Sequence, residues 1–499
     1  MKLDKSILNK QITNIIGNLV KSKALRNLLE GKLEHYIKQK IINDDTNASE
    51  VAKYYEYLAI WSMYKSYIRN LDRGYISSEV TNKIINTFIS SVMLRQNIKD
   101  NPKQNYYNRH GVYPPTFLTV SPTKKCNLKC IGCYASSSPA ETTTLEWNYL
   151  DKIIEDTYTN MGMRFFVISG GEPLMYKSQE KTILDLAEKW NDCFFLMFTN
   201  GTLISKKIAE RIAQLGNITL AFSIEGYEEE TDARRGKGIY KKLNNGKNHL
   251  QTYGIPFGFS VTATKNNINL LTDESFYDYF FNTEGATFMW VFHYMPIGRN
   301  FTKDLMITPQ ERLNLQNIQD RMIKEKQYFI ADFWNNALMS NGCISCGTRG
   351  GYFYINWEGN IMPCVFVPYY HDNVKTLYNN GKTIEHAMFS PLFVRGREWQ
   401  KNYIGDKNNP GNLLTPCFIR DHYANFKAIA TETYVNAENK EAYEALNSDE
   451  YYKAMVEFDN ELSKLSKPVW EKIIENTKFI KIKSHKKKEK IMSCFIYLL

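Results

Sequence analysis

Three thiols fall within eight residues in the stretch Cys126-Asn-Leu-Lys-Cys130-Ile-Gly-Cys133. Soft thiolate ligands hold iron tightly, and a loop that offers only three of them to a four-iron cluster leaves one iron open to a further ligand. A structural zinc ion wants four protein ligands, usually taken as two separated pairs. C-x3-C-x2-C supplies neither a fourth ligand nor a nearby His, so the pattern points to iron and sulfide before zinc. The apolar run Phe117 to Val120 just before the loop reads as a strand, which puts the thiols at a strand end.

A second group of cysteines lies far downstream: Cys343-Ile-Ser-Cys346, then Cys364, then Cys417. Between them Tyr352 to Trp357 and Ile361 to Cys364 read as two short strands joined at Glu358-Gly359-Asn360, a hairpin that presents Cys364 near the first pair. Two chemistries fit. A four-cysteine zinc knot accepts C-x2-C followed by two distant thiols. An iron-sulfur cluster on Cys343, Cys364 and Cys417 fits as well, with Cys346 as fourth ligand; the C-x2-C spacing lets both thiols reach one centre, and without Cys346 that cluster too has an open iron.

The first loop, followed by the aromatic Tyr134, resembles the cluster loop of the radical S-adenosylmethionine (radical SAM) enzymes. The resemblance implies a 4Fe-4S cluster whose open iron chelates the amino and carboxylate groups of S-adenosylmethionine, and reductive cleavage of that cofactor to methionine and a 5'-deoxyadenosyl radical. It carries further residue by residue. Gly170-Gly171-Glu172-Pro173 is similar to the stretch that contacts the cofactor's amino group, the glycines freeing backbone amides for a ligand. Tyr134 and Asn200 of Thr199-Asn200-Gly201 are implied cofactor contacts, and Ser223 and Arg235, with Arg234 able to substitute, are implied at the methionine carboxylate or ribose. Ile297, in Tyr294-Met-Pro-Ile-Gly-Arg299, is implied against adenine. The plainer readings are a buried aromatic for Tyr134, a strand-end turn for Ser223 and a solvated charge for Arg235. His293 reads as a hydrogen-bonded core histidine. Cys346-x12-Gly359-x4-Cys364 resembles the opening of the SPASM or shorter twitch extensions, which implies one auxiliary 4Fe-4S cluster at most, because the further cysteines of a full SPASM domain are missing.

These residues need a scaffold, and from Phe117 the pattern alternates strands and helices as parallel βα units do. The strands are Phe117 to Val120, Phe165 to Ser169, Phe194 to Phe198, Ile218 to Ile224, Phe257 to Thr262 and Phe288 to Tyr294. Thr143-Thr-Leu-Glu146 and Thr308-Pro-Gln-Glu311 read as capping boxes. Six units make an α/β fold, a partial (β/α)6 TIM-like barrel over 116–328, whose ligands gather at the C-terminal strand ends, where every motif above falls. Residues 1–101 read as helices, with Ile12, Ile15, Ile16, Leu19 and Val20 at helical spacing and no hairpin of the kind a leader-binding winged helix needs; a helical cap or docking surface is the expectation. Asn101 to Pro115 reads as a linker, 329–420 as a small twitch/SPASM-like auxiliary domain, and 421–480 as helical. Cys193 reads as a small buried hydrophobe and Cys494 as incidental.

Composition excludes little beyond a membrane protein. With 499 residues, 43% hydrophobic and 23% charged, the chain has length for two to three domains, and no stretch approaches the roughly 20 apolar residues of a span. Met1 to Lys10 is polar, without a secretory signal, and nine clustered Cys fit a reducing compartment, so a cytoplasmic location is expected. Of the net charge of +10, the tail 481–499 supplies half: Lys481 to Lys490 holds six Lys and one Glu. It reads as a solvated end rather than a lipid or RNA contact, and no specific nucleic-acid binding is expected. The expected function is that of a radical SAM oxidoreductase or maturase that abstracts hydrogen from a peptide or protein substrate, fed by an external donor such as flavodoxin or ferredoxin. Alternatives are a small-molecule, cofactor or lipid substrate, and a non-catalytic iron-sulfur protein that binds or senses.

Overall fold

The strongest apolar runs become the central strands of one sheet, because strands covered on both faces read as continuous rather than alternating hydrophobics. The computed structural model describes residues 17, 22–44, 46, 48–93, 101–299 and 302–485. The helical pattern Ile12 to Val20 and the end of the basic tail fall outside the described residues.

Six parallel strands follow in order: β1 (Phe117–Val120), β2 (Phe165–Ile168), β3 (Phe194–Thr199), β4 (Ile218–Ile224), β5 (Phe257–Ala263) and β6 (Phe288–His293). These match the expected strands to within a residue at either end. Two more parallel strands flank them: β7 (Ile330–Asp332) extends the sheet beyond β6, and β8 (Tyr352–Ile355) pairs with β1, Tyr352 opposite Phe117. The barrel sheet is thus wider by two parallel strands: β7 is only three residues long and gives no sequence signal, and β8, expected as one arm of the hairpin, joins the sheet by pairing with β1. The expected hairpin is present: β9 (Asn360–Met362) runs antiparallel to β8, with Gly359 in the left-handed region at φ +91°. It belongs to the barrel sheet itself, where it is hydrogen-bonded through β8 to β1.

Two local expectations are corrected. The stretch read as a linker contains a helix, Pro102–His110, capped by the side chain of Asn101 and closed by Gly111. Its Pro and Gly are helix boundaries, Pro where the first-turn N–H has no partner and Gly in the left-handed closing position. At Thr143 to Glu146 there is no capping box: the helix Trp147–Met161 starts one residue beyond Glu146 and has no side-chain cap, while Thr123 and Thr144 are tied hydroxyl to hydroxyl at 2.8 Å. The second box forms, with Thr308 and Glu311 bonded reciprocally and Pro309 in the first turn.

The helices Lys23–Ile42, Glu50–Asp72 and Ser78–Ile84 lie across the N-terminal ends of the strands. Ser77 N donates to Gly254 O at 3.0 Å, ahead of β5. Asn70 Nδ2 donates to Gly285 O at 2.8 Å, ahead of β6, and Ser66 Oγ accepts from Phe329 N at 2.9 Å, ahead of β7. Leu58 and Trp61 enter the main core there. This region therefore caps the end of the barrel opposite the thiol loop. Among its described residues there is no strand.

The opposite end is covered by the C-terminal part. Helix Pro309–Arg321 meets the long helix Asp449–His485 through Leu313, Phe458 and Leu462. The fully buried pair Arg312 and Asp421 ties the first of these helices to the segment after Cys417. No helix of the described residues is long and apolar enough to cross a membrane.

Candidate active site and auxiliary thiol site

Cys126, Cys130 and Cys133 leave the C-terminal end of β1 on a loop held from two sides. Arg234 Nε donates to Ile131 O at 3.1 Å, and Ile131 N donates back to Arg234 O at 3.1 Å. From the other side Arg299 Nη1 donates to Cys130 O at 2.7 Å, Arg299 Nη2 donates to Ser137 O, and Arg299 N to Cys133 O at 3.0 Å. Gly298 makes this approach possible: a Cβ there would lie 2.2 Å from Tyr134 O. The conformation of the loop is thus fixed by its own carbonyl acceptors and two guanidinium forks, one from the helix Glu228–Arg235 and one from the segment after β6.

Burial dominates the electrostatics of Cys126 and Cys130. Burial pushes the Cys126 thiol up to about 12, against one opposing amide from Leu128, and the charges of Glu172, Cys130 and Cys133 push the same way. Burial raises Cys130 also, while Arg235 and Arg234 pull it down. A metal cation deprotonates a coordinating thiol outright and would offset the burial of Cys126 and Cys130. The donor set fits a cluster by its chemistry: three soft sulfurs, one buried and two half-buried, lie on one loop beside two cations. Among the described residues, no group of three or more His, Cys, Asp or Glu side chains gathers closely enough to hold a metal ion.

The Gly-Gly-Glu-Pro turn packs against the base of the thiol loop. A Cβ at Gly171 would come within 2.1 Å of Lys125 O, and one at Gly170 within 2.7 Å of Thr123 O. Gly171 N and Glu172 N donate to Thr123 O and Lys125 O at 2.8 and 2.9 Å. The glycines are needed for contact with the base of the thiol loop, and the amides of Gly171 and Glu172 are spent on protein carbonyls rather than exposed to a ligand. Glu172 itself is fully buried and accepts from Thr199 Oγ1 at 2.7 Å, Asn200 N at 2.8 Å and Leu174 N at 3.1 Å. Three donors on a carboxylate with about four acceptor sites leave one, on Oε2.

The remaining expected residues divide. Asn200 Nδ2 donates to Asn127 Oδ1 at 2.8 Å and lies 3.9 Å from Cys126 Sγ, so it braces the loop. Ser223 Oγ is 3.3 Å from Ser260 Oγ on the neighbouring strand. Arg235 and Arg234 both donate to Glu225 Oε1 at 2.6 Å, so Arg235 is a buried ion-pair partner and not a solvated charge. Tyr134 donates to or accepts from Ser169 Oγ at 2.8 Å, and its ring lies 6.2 Å from Phe366. Ile297 is buried in the apolar cluster that includes Trp334 and Phe366. His293 is a buried, hydrogen-bonded residue as expected, its Nε2 2.9 Å from Asp332 Oδ2. Cys193 is fully buried.

The structure brings the four distant cysteines into one neighbourhood. Ser345 Oγ lies 3.2 Å from Cys343 Sγ and 3.8 Å from Cys346 Sγ. Burial pushes Cys346 and Cys364 up to about 12 and Cys417 well above the usual thiol range, and the charge of Cys343 adds to the rise in each. Cys346 takes a left-handed backbone, φ +58°, and its sulfur packs at Gly396, where a Cβ would stand 2.6 Å away. Phe366, two residues past Cys364, meets Tyr134, one residue past Cys133, so the segments carrying the two thiol groups touch through these rings.

Sequence reasoning missed Glu225, Arg299 and Phe366 as parts of the site. Glu225 and Arg299 stood inside motifs already singled out, as the acid of Ser223-Ile-Glu225 and the end of Tyr294 to Arg299; for Phe366 the only signal was its nearness to Cys364.

Residues 120–276 match the radical SAM superfamily, whose members use a 4Fe-4S cluster and S-adenosylmethionine. The chain is 31% identical over 147 residues to Fe-coproporphyrin III synthase of Methanosarcina barkeri, a match that covers 29% of this chain and only 36% of that protein. It is 25% identical over 300 residues to the mycofactocin maturase MftC of Mycobacterium ulcerans, covering 58% of this chain and 79% of that one. Among solved structures, Streptococcus suis SuiB bound to S-adenosylmethionine shares the fold, with a TM-score of 0.50 and 15% identity over 64% of this chain and 77% of SuiB.

Proposed function

From the radical SAM domain at residues 120–276 we propose an enzyme that reductively cleaves S-adenosylmethionine and abstracts hydrogen from an unactivated carbon of a peptide or protein substrate. The observation that carries this reading is the loop of Cys126, Cys130 and Cys133, pinned at the mouth of the barrel by Arg234 and Arg299 with the buried Glu172 beneath it. A bound cluster would supply one electron to the sulfonium, releasing methionine and a 5'-deoxyadenosyl radical. This chain's residues do the rest: the three thiols hold the cluster, and the open acceptor site on Glu172 suits one N–H of an ammonium group. Gly170 and Gly171 support that contact by keeping Glu172 against the loop, with Tyr134 and Ser223 at the flanking strand ends. The roof of Ile297, Trp334 and Phe366 excludes water from a reactive alkyl radical.

Cys343, Cys346, Cys364 and Cys417 are read as the ligands of one auxiliary 4Fe-4S cluster, a reading supported by their common neighbourhood and by the resemblance to twitch extensions. Peptide maturation is favoured by the match to a maturase over 58% of the chain. A small-molecule substrate of the tetrapyrrole class is the second reading, favoured by the higher identity to Fe-coproporphyrin III synthase and by an N-terminal cap with no strand among its described residues. An external one-electron donor completes the scheme.

The test is anaerobic reconstitution with iron and sulfide, followed by dithionite and S-adenosylmethionine. Release of 5'-deoxyadenosine is expected; a cluster-loaded chain that releases none overturns the reading. Deuterium carried into 5'-deoxyadenosine from a labelled peptide supports the first substrate class, and from a labelled porphyrin the second.

A further inference from the structure

Cys364 sits against a phenol. Tyr352 Oη lies 2.9 Å from Cys364 Sγ, and Val365 N donates to the same oxygen at 3.3 Å. An amide that fills an oxygen lone pair leaves the phenolic proton for another acceptor, and an ionised sulfur can only accept. Phe366 N supplies a second donor to this sulfur, at 3.4 Å.

The hydroxyl is held by the barrel rather than by a loose loop. Tyr352 opens β8 and is 1% exposed. Its ring stacks on Phe117, the first residue of β1, at 5.1 Å and 3°, and meets Phe333 edge-on at 6.0 Å. A buried hydroxyl is costly without a partner, and the sulfur is the acceptor within reach. Beside it the arrangement repeats at Cys343, where Ser345 Oγ, 3.2 Å from the sulfur, receives Gln400 Nε2 at 2.7 Å.

We propose that Tyr352 is a positioning residue that raises the reduction potential of the auxiliary cluster by donating its phenolic hydrogen bond to the Cys364 sulfur. The proposal rests on the reading of Cys343, Cys346, Cys364 and Cys417 as a cluster site. Reduction adds negative charge to a cluster and its thiolates, and a fixed donor stabilises the more negative state more strongly, so the potential follows the hydrogen bonds to sulfur. The same charge argument poises this cluster to accept an electron.

Tyr352→Phe keeps the ring, the stack and the volume while removing the donor. Anaerobically reconstituted wild-type and variant chains are compared by iron content and by redox titration monitored by electron paramagnetic resonance. The expected result is equal iron and about a tenfold lower ratio of reduced to oxidised auxiliary cluster at a fixed applied potential, equivalent to ~59 mV for a one-electron couple. Incorporation of 2,3-difluorotyrosine at position 352 retains the hydroxyl as a stronger donor and is expected to shift the potential the other way, which a packing effect would not do. An auxiliary cluster whose potential is the same in wild type and in both replacements overturns the role of Tyr352. A wild-type chain that binds only one cluster, or zinc at the second site, instead defeats the cluster reading and the proposal with it.

Discussion

Arg299 reaches back to the thiol loop and donates through Nη1 to the carbonyl of Cys130 at 2.7 Å. The two residues are 169 positions apart, so the conformation of the thiol loop depends on the segment that follows β6. Arg299→Met removes the fork while retaining the aliphatic stem. We expect a folded protein whose first cluster loses iron to a chelator several-fold faster than wild type, and whose second cluster does not. Equal loss rates at the first cluster would count against the clamp.

Each of Cys126, Cys130 and Cys133 is one of only three thiols on that loop. Single changes to Ala are expected to abolish reductive release of 5'-deoxyadenosine, read by chromatography of the quenched reaction. Retained turnover in any one of them would sink the ligand assignment. Glu172→Ala is expected to weaken S-adenosylmethionine binding and leave the cluster's absorption in place.

Iron analysis of reconstituted protein is expected to give close to eight irons per chain, on the reading of two 4Fe-4S clusters. About four irons with one zinc would convert the second thiol group to a structural knot. Cys364→Ala and Cys417→Ala are expected to lose the second cluster's signal yet permit uncoupled cleavage of S-adenosylmethionine. Cys346→Ala decides whether this thiol, already in the same group, is the fourth ligand: lowered occupancy says yes, an unchanged spectrum says no.

The Arg312 and Asp421 pair has no exposed side-chain surface and links the barrel's last helix to the segment carrying Cys417. Arg312→Met leaves a buried carboxylate without its partner, a change that costs roughly 3–5 kcal/mol. Chemical denaturation of the metal-free chain measures it. A loss under about 1 kcal/mol would show the pair to be solvated.

Burial pushes the Asp459 carboxyl up to about 8, while its Oδ2 accepts from Tyr423 N at 2.7 Å. The folded chain holds this proton more tightly than the unfolded chain, where an Asp titrates near ~3.9. Its contribution to stability is therefore full at acid pH and is lost as the pH rises toward about 8. Thermal unfolding of Asp459→Asn across that window is expected to show a flatter decline than wild type. Parallel curves would mean that Asp459 does not titrate there.

What the sequence by itself determined is what near neighbours determine. The apolar runs of the six strands, the cap at Thr308 and the thiol spacing are each set within about ten residues, where periodicity, turn chemistry and ligand geometry act directly. The same local logic misled at Thr143, whose box motif was diverted when Thr144 paired with Thr123, and at Asn101, where Pro and Gly bounded a helix. Tertiary structure alone decided which groups converge. Gly171 is required by the carbonyl of Lys125, 46 residues earlier in the chain, and Arg234 reaches Ile131 O on the thiol loop, 103 residues earlier, only once the barrel has formed. Tyr352 stacks on Phe117 because β8 pairs with β1, a choice no run of four residues can announce. Strand order is settled by how sheet edges and aromatic layers pack across the whole barrel, and the partners of each thiol are settled with it.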